Sequence, residues 1–299
     1  MGIEIGQVII DIIRAEFEHR KKVPFKLCYI GKVRNSNAGD LFNVTVMNYF
    51  KLPFIKARVS SSNMLNIGSL LNFIVTSPKK YPFIKNKKCT IVGTGFMYEP
   101  EESEELIKDV EVLALRGQIS KDLLEKKSGE KYDCLLADPG LLASHIFPQE
   151  NVEKKYKVGF ISHFLQKENE AWKNIKLEKY NCHFIDIEQE DVSLMKEINE
   201  CECILSSSLH GLIFADSYNI PCRHLTIYEN LLGDNLKFRD YYSAFEGDLY
   251  KSFDIINNQV TDDLIDDVIN SHIDMKDNVK NKQEALIKIY TDLREKYVL

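Results

Sequence analysis

The chain reads as an α/β protein built on two parallel sheets with helices on both faces, and three observations predict it. Short apolar runs of strand length alternate with longer segments of helical period along most of the 299 residues, as β-α-β units require when parallel strands must be covered on both faces. A polar, charge-rich stretch, Pro148-Gln149-Glu150-Asn151-Val152-Glu153-Lys154-Lys155, interrupts the alternation near the middle. The pattern then restarts, so residues 1–150 and 151–299 are expected to form two Rossmann-like domains joined by this linker.

The elements follow in order. Ile5, Ile9, Ile12, Ile13 and Phe17 lie near helical spacing, with Glu16, Glu18 and Arg20 elsewhere, which predicts a leading amphipathic helix over 3–20. Its polar face is not lysine-rich, so packing on the body is favoured over lying on a membrane. Strands are expected at 25–30, 54–59, 89–92, 110–115 and 134–137, with helices near 40–50, 70–76 and 119–126. Beyond the linker come strands at 156–161, 182–187, 203–206 and 222–227 and helices at 192–199 and 209–218. Helices near 261–272 and 280–297 close the chain, a tail of the kind that commonly crosses back to a first domain.

Composition removes several classes of function. Lys and Arg number 39 against 45 Asp and Glu, a net charge of −6, which argues against a sequence-independent grip on nucleic acid. Cysteines are odd in number and mostly sit in apolar runs such as Leu27-Cys28-Tyr29, so they read as buried thiols of a reducing compartment. Cys201-Glu202-Cys203 has the wrong spacing for a zinc knuckle, and no metal is expected. No basic region precedes an apolar stretch at the start, and no segment approaches the roughly 20 apolar residues that span a bilayer. A cytoplasmic location, with at most peripheral contact at the inner face of a membrane, is the expectation. A Gly-x-Ser-x-Gly elbow, a P-loop lysine and a zinc-protease helix are all missing from the sequence.

In a parallel sheet, ligands gather beyond the carboxyl ends of strands, where helix N-termini offer free amides to anions. Five such junctions carry more than a connection needs. After the first strand, Asn37 or Asp40 is placed to cap a helix and Gly39 to let backbone approach a ligand, although an ordinary capped loop explains them too. Gly93-Thr94-Gly95 is a Gly-x-Gly pair whose amides are candidates to face an anion; the third glycine of a dinucleotide fingerprint is missing, so no nicotinamide cofactor is supported. Arg116 stands where a strand meets a helix, suited either to grip a carboxylate or phosphate or to pair with a nearby acid. Asp138-Pro139-Gly140 is a turn sequence, with Asp138 expected to point toward the cleft between the domains. Finally, Ser206-Ser207-Ser208-Leu209-His210-Gly211 sets three hydroxyls and a histidine at a strand-to-helix turn, where His210 is placed to titrate or to hold an anion. His163, after the strand at 156–161, is the other histidine at a candidate cleft edge.

Taken in order, these segments resemble the polysaccharide pyruvyl transferase family: Asn37 to Asp40, Gly93 to Phe96, Arg116 to Ser120, Asp138 to Leu142 and Ser206 to Gly211, with further matches at Gly159 to His163 and Lys237 to Tyr242. The resemblance runs from about residue 29 to residue 243. It implies two Rossmann-like domains facing a cleft, similar to the GT-B glycosyltransferases, and transfer of the pyruvyl group of phosphoenolpyruvate to sugar hydroxyls as a ketal on a cell-surface polysaccharide or its lipid-linked precursor. No cofactor is implied beyond phosphoenolpyruvate as donor substrate. By the family pattern His210 and Leu209 line the phosphoenolpyruvate pocket, His210 as acid or phosphate ligand, and Arg116 is the partner of its carboxylate or phosphate. Several relatives carry an arginine immediately before Leu-His, where this chain has Ser208; Lys237 and Arg239 are the candidate replacements. The rival reading is a nucleotide-sugar glycosyltransferase on the same kind of fold. A binding protein that keeps the motifs as structure is the third.

Overall fold

The computed structural model describes residues 23–30, 37–80, 84, 88–227 and 235–298, so the helix expected over 3–20 lies outside the described residues. The first half carries β1 (Phe25–Cys28), β2 (Phe54–Lys56), β3 (Met64–Leu65), β4 (Val75–Thr76), β5 (Lys88–Val92), β6 (Glu105–Leu106), β7 (Asp109–Leu115) and β8 (Leu135–Leu136). The second half carries β9 (Tyr156–Ile161), β10 (Cys182–Ile185), β11 (Cys201–Ser206), β12 (Cys222–Thr226) and β13 (Ser252–Asp254).

Two all-parallel sheets result, in the orders β2-β1-β3-β5-β7-β8 and β10-β9-β11-β12-β13. In each the chain steps outward once and then returns to the other side of its first strand. That reversal creates a crevice at the carboxyl ends of β1 and β3, and another at those of β9 and β11. The central strands are nearly continuous apolar runs because both faces are covered: Val158, Phe160, Ile161, Cys203, Ile204 and Leu205 are all buried. The helix Leu209–Ser217 that follows β11 is buried at every position, so it is held from all sides.

One apolar core runs through both halves, joining Leu27, Phe42 and Val92 to Ile161, Ile204 and Phe214. The helix Lys276–Tyr297 runs back along the first sheet: Tyr290 stacks on Phe50 with ring centroids 4.8 Å apart, and its hydroxyl donates to Asn66 Oδ1 at 2.5 Å. Lys282 Nζ ties the same helix to the carbonyls of Leu136 and Ala244, each at 2.7 Å.

The structure departs from the sequence reading in two places that matter below. Residues 70–76, expected to be helical, divide into a 3-10 turn at Leu71–Phe73 and the strand β4, which pairs antiparallel with β6. A seven-residue apolar run is too short to nucleate a helix and satisfies its backbone better across a ladder. The segment after β12 holds a helix, Leu236–Tyr242, that the sequence reading did not assign.

Candidate active site

Both crevices open on one cavity of about 200 Å³. Its wall is made almost wholly of residues just past strand ends: Asn37 and Asp40 after β1, Gly68 and Ser69 after β3, Met97 after β5, His163 after β9, Ser208, Leu209 and His210 after β11, and Lys237 after β12.

The three serines of the β11 turn divide their work. Ser206 Oγ accepts the Ser208 amide at 2.9 Å and reaches the Ile161 carbonyl at 3.0 Å, closing the turn. Ser207 Oγ accepts the His163 amide at 2.9 Å, fixing the β9 loop against the β11 turn. Ser208 occupies the N-cap position of Leu209–Ser217 without making a side-chain cap, and it is the serine on the cavity wall. The first-turn amides, which no helix satisfies from within, thus receive no cap from Ser208, and the positive end of the helix is turned to the cavity.

His210 lies in this first turn. Its Nε2 is buried without a partner among the described residues. Burial, with help from Lys237, Arg116 and His163, drives its pKa down to about 3, so the imidazole is neutral near pH 7. His163 is driven to about 3 by burial and by Lys237. The opposite wall makes room for the ring: a Cβ placed on Gly39 would sit 1.9 Å from His210 Nδ1.

The β1 junction is a capped helix start. Asn37 Oδ1 accepts the Gly39 amide at 2.8 Å, the Ala38 amide donates to the Ile187 carbonyl at 2.8 Å, and the Asp40 amide donates to the Asn37 carbonyl at 3.0 Å. Here the glycine contributes space, and the amides are spent. Asp40 presents its carboxyl to the cavity, where burial lifts its pKa to about 7 against the lowering influence of Lys237 and Lys56.

Lys237 is the one Lys or Arg on the cavity wall among the described residues. Burial and Arg116 lower its pKa to about 8, while Asp40 holds it up. Arg239, the other candidate for the missing cation, is exposed and off the wall. Two positions along a helix turn a side chain by roughly 200°, so Lys237 and Arg239 face opposite ways.

Arg116 is fully buried behind the wall. Its Nε donates to Asp240 Oδ2 at 2.8 Å, Nη1 to Ser69 Oγ at 2.8 Å, and Nη2 to the Phe96 carbonyl. The acid-paired reading left open for this arginine is the one the geometry follows, and its link to the cavity runs through Ser69. Gly93 and Gly95 do not offer amides to an anion: they donate to the carbonyls of Ala114 at 2.7 Å and Gly68 at 3.1 Å. They are small because Pro139 Cδ and the Arg116–Asp240 pair lie 2.1 and 2.5 Å from where their Cβ atoms would be. Asp138, expected to point into the cleft, caps its own turn instead, accepting the Gly140 amide at 2.8 Å, and it is absent from the cavity wall. Burial lifts its pKa to about 6.

Asp240 is the residue that sequence reasoning missed. It pairs with Arg116 and accepts the Ser120 amide (2.7 Å) and hydroxyl (2.6 Å), so it caps the helix Gln118–Ser128 from another part of the chain. On Asp240's own helix, Leu236–Tyr242, Phe238 stacks on His224, with ring centroids 3.6 Å apart. Helical spacing within Lys237-Phe238-Arg239-Asp240-Tyr241-Tyr242 was the available signal, since Lys237 and Asp240 are three apart.

A family model described as polysaccharide pyruvyl transferase matches residues 7–228. An uncharacterized protein, L143, of Acanthamoeba polyphaga mimivirus is 31% identical over 218 residues, 70% of this chain and 74% of that protein. The succinoglycan biosynthesis protein ExoV of Rhizobium meliloti (strain 1021) is 25% identical over 133 residues, 44% of this chain and 40% of ExoV. The crystal structure of the uncharacterized protein KP1_0663 of Klebsiella pneumoniae subsp. pneumoniae NTUH-K2044 superposes with a TM-score of 0.43 at 13% identity, covering 83% of this chain and 98% of that one.

Proposed function

The chain belongs to the polysaccharide pyruvyl transferase family, and from that premise we propose that it transfers the pyruvyl group of phosphoenolpyruvate to two hydroxyls of a sugar, as a ketal, during synthesis of a cell-surface polysaccharide. One observation carries the donor assignment: a half-buried lysine and an uncapped helix start share the wall of a cavity about 200 Å³ in volume. A small, highly charged anion suits that volume better than a nucleotide sugar, since drug-sized ligands occupy roughly 300 Å³ or more. Lys237 and the first-turn amides of Leu209–Ser217 would hold the phosphate and carboxylate. Arg116 would act one residue removed, orienting Ser69 and adding positive potential, while His210, kept neutral by burial and by the cations around it, would offer the anion a ring N–H.

Two Rossmann-like domains facing this cleft, in the GT-B manner, and a cytoplasmic enzyme meeting a lipid-linked acceptor at the membrane face complete the proposal. Among the described residues no helix is long and apolar enough to cross a membrane. Incubation with phosphoenolpyruvate and a lipid-linked oligosaccharide tests it. Phosphate release with a mass gain of one pyruvyl ketal, in the absence of any nucleotide sugar, is the expected result. Turnover that demands a nucleotide sugar would overturn it.

A further inference from the structure

Pyruvyl transfer needs more than an anion clamp: a proton must reach the methylene carbon of the enol, and one must leave each attacking hydroxyl. Histidine is the obvious source, yet both histidines on the cavity wall are already neutral in the free protein, and His210 Nε2 is buried without a partner among the described residues. The wall carries one carboxyl among the described residues, that of Asp40. It stands on the wall made by the β1 and β3 crevice, where Asp40 Oδ1 would be 3.5 Å from a Cβ on Gly68, and its neighbour Gly39 packs directly on the His210 ring. The amides that hold an anion come from the other crevice, so Asp40 looks across the cavity at whatever they bind.

Resting on the pyruvyl-transfer reading, we propose that Asp40 is the proton shuttle of the reaction, the acid toward the phosphoenolpyruvate methylene and then the base toward the sugar. The protonated carboxyl gives its proton to C3. The C2=C3 electron pair forms the new C–H bond, the methylene becomes a methyl, and C2 is left electron-deficient. A sugar hydroxyl adds its oxygen to C2 and returns its proton to the Asp40 carboxylate, which restores the acid. The second hydroxyl then replaces phosphate at C2: the C2–O bond to phosphate breaks with its electron pair on the phosphate, which leaves carrying the second proton. No other co-reactant is consumed.

The surroundings fit this role. Among the described residues Lys237, His163 and His210 share the cavity wall with Asp40, and Lys237 and Lys56 are the cations that act on its charge. Asp40 is already lifted to about 7 in the free protein, and a bound trianion raises it further, because a like charge disfavours the carboxylate. Substrate binding therefore delivers the acid form.

The test compares the full-length protein with Asp40→Asn and Asp40→Glu, measuring the affinity for phosphoenolpyruvate by calorimetry and the transfer rate to a methyl hexopyranoside with free 4- and 6-hydroxyls. Asparagine keeps the shape without a transferable proton. The expected result for Asp40→Asn is binding within about threefold of the parent with kcat lowered about 100-fold or more, in the range of general acid–base catalysis. Asp40→Glu should recover at least about tenfold of that loss and confirm that the fold tolerates change at this position. Transfer by Asp40→Asn within about threefold of the parent overturns the inference and leaves pyruvyl transfer standing. If the parent neither binds phosphoenolpyruvate nor releases phosphate from it, the pyruvyl-transfer reading fails and the role of Asp40 falls with it.

Discussion

The helices Ala38–Tyr49 and Leu209–Ser217 start on opposite walls of the same cavity, and they end their first turns differently. The first is sealed: Asn37 and Ile187 accept the amides that a helix start leaves over. The second has Ser208 at its cap position with no side-chain bond to the helix. A third start, that of Gln118–Ser128, has glycine at its N-cap and is sealed from a distance by Asp240. The difference teaches that an anion site is made as much by withholding a cap as by supplying a cation. Stability is taken where the chemistry does not need the amides and given up where it does.

Four substitutions break or sharpen this contrast. Asp240→Ala should have the largest effect, about 3–5 kcal/mol in chemical denaturation, because it strands the buried Arg116 and uncaps a helix together. Ser208→Asp should supply the missing cap and spoil the site: phosphoenolpyruvate affinity is expected to fall about 100-fold or more by titration calorimetry, from charge repulsion at close range. The melting temperature should hold or rise, since aspartate is a preferred N-cap. Lys237→Met should weaken phosphoenolpyruvate binding by about 10- to 100-fold, the value of a hydrogen bond to a charged group. The parent protein should lose affinity as the pH rises through about 8, because only the charged lysine attracts the anion and the charge is lost above its pKa; the methionine variant should lack that decline. Asn37→Ala, the smallest, should cost about 1 kcal/mol in thermal melting and leave binding nearly intact. If Asn37→Ala instead removed binding while Ser208→Asp did not, the assignment of the two starts would be reversed.

The sequence revealed the parallel architecture because short, mostly apolar runs such as Tyr156–Ile161 alternate with segments of helical period. It hid β3, a central strand only two residues long, because Met64 and Leu65 follow a run of three serines and look like a loop. Among candidate site residues, His210, His163, Asp40 and Lys237 were legible as polar groups at strand ends or in motif order, and all reach one cavity. What could not be read was direction. Gly93 and Gly95 look like an anion loop until their amides are traced to carbonyls, and Arg116 looks like a ligand grip until Asp240, 124 residues away, is found beside it. Such pairings depend on contacts that no local pattern encodes.

The returning helix Lys276–Tyr297 bears on how the chain can be made. Tyr290 fills the first sheet's core beside Phe50 and bonds to Asn66, 224 residues earlier in the chain. During synthesis on the ribosome the first half therefore emerges with part of its apolar face uncovered, and it keeps that face uncovered until the helix Lys276–Tyr297 has been released. Folding from the N-terminus outward, the usual habit of chains with two halves, cannot finish here. Severing the chain near the middle would be expected to yield one incomplete half and to divide the cavity, which draws residues from both.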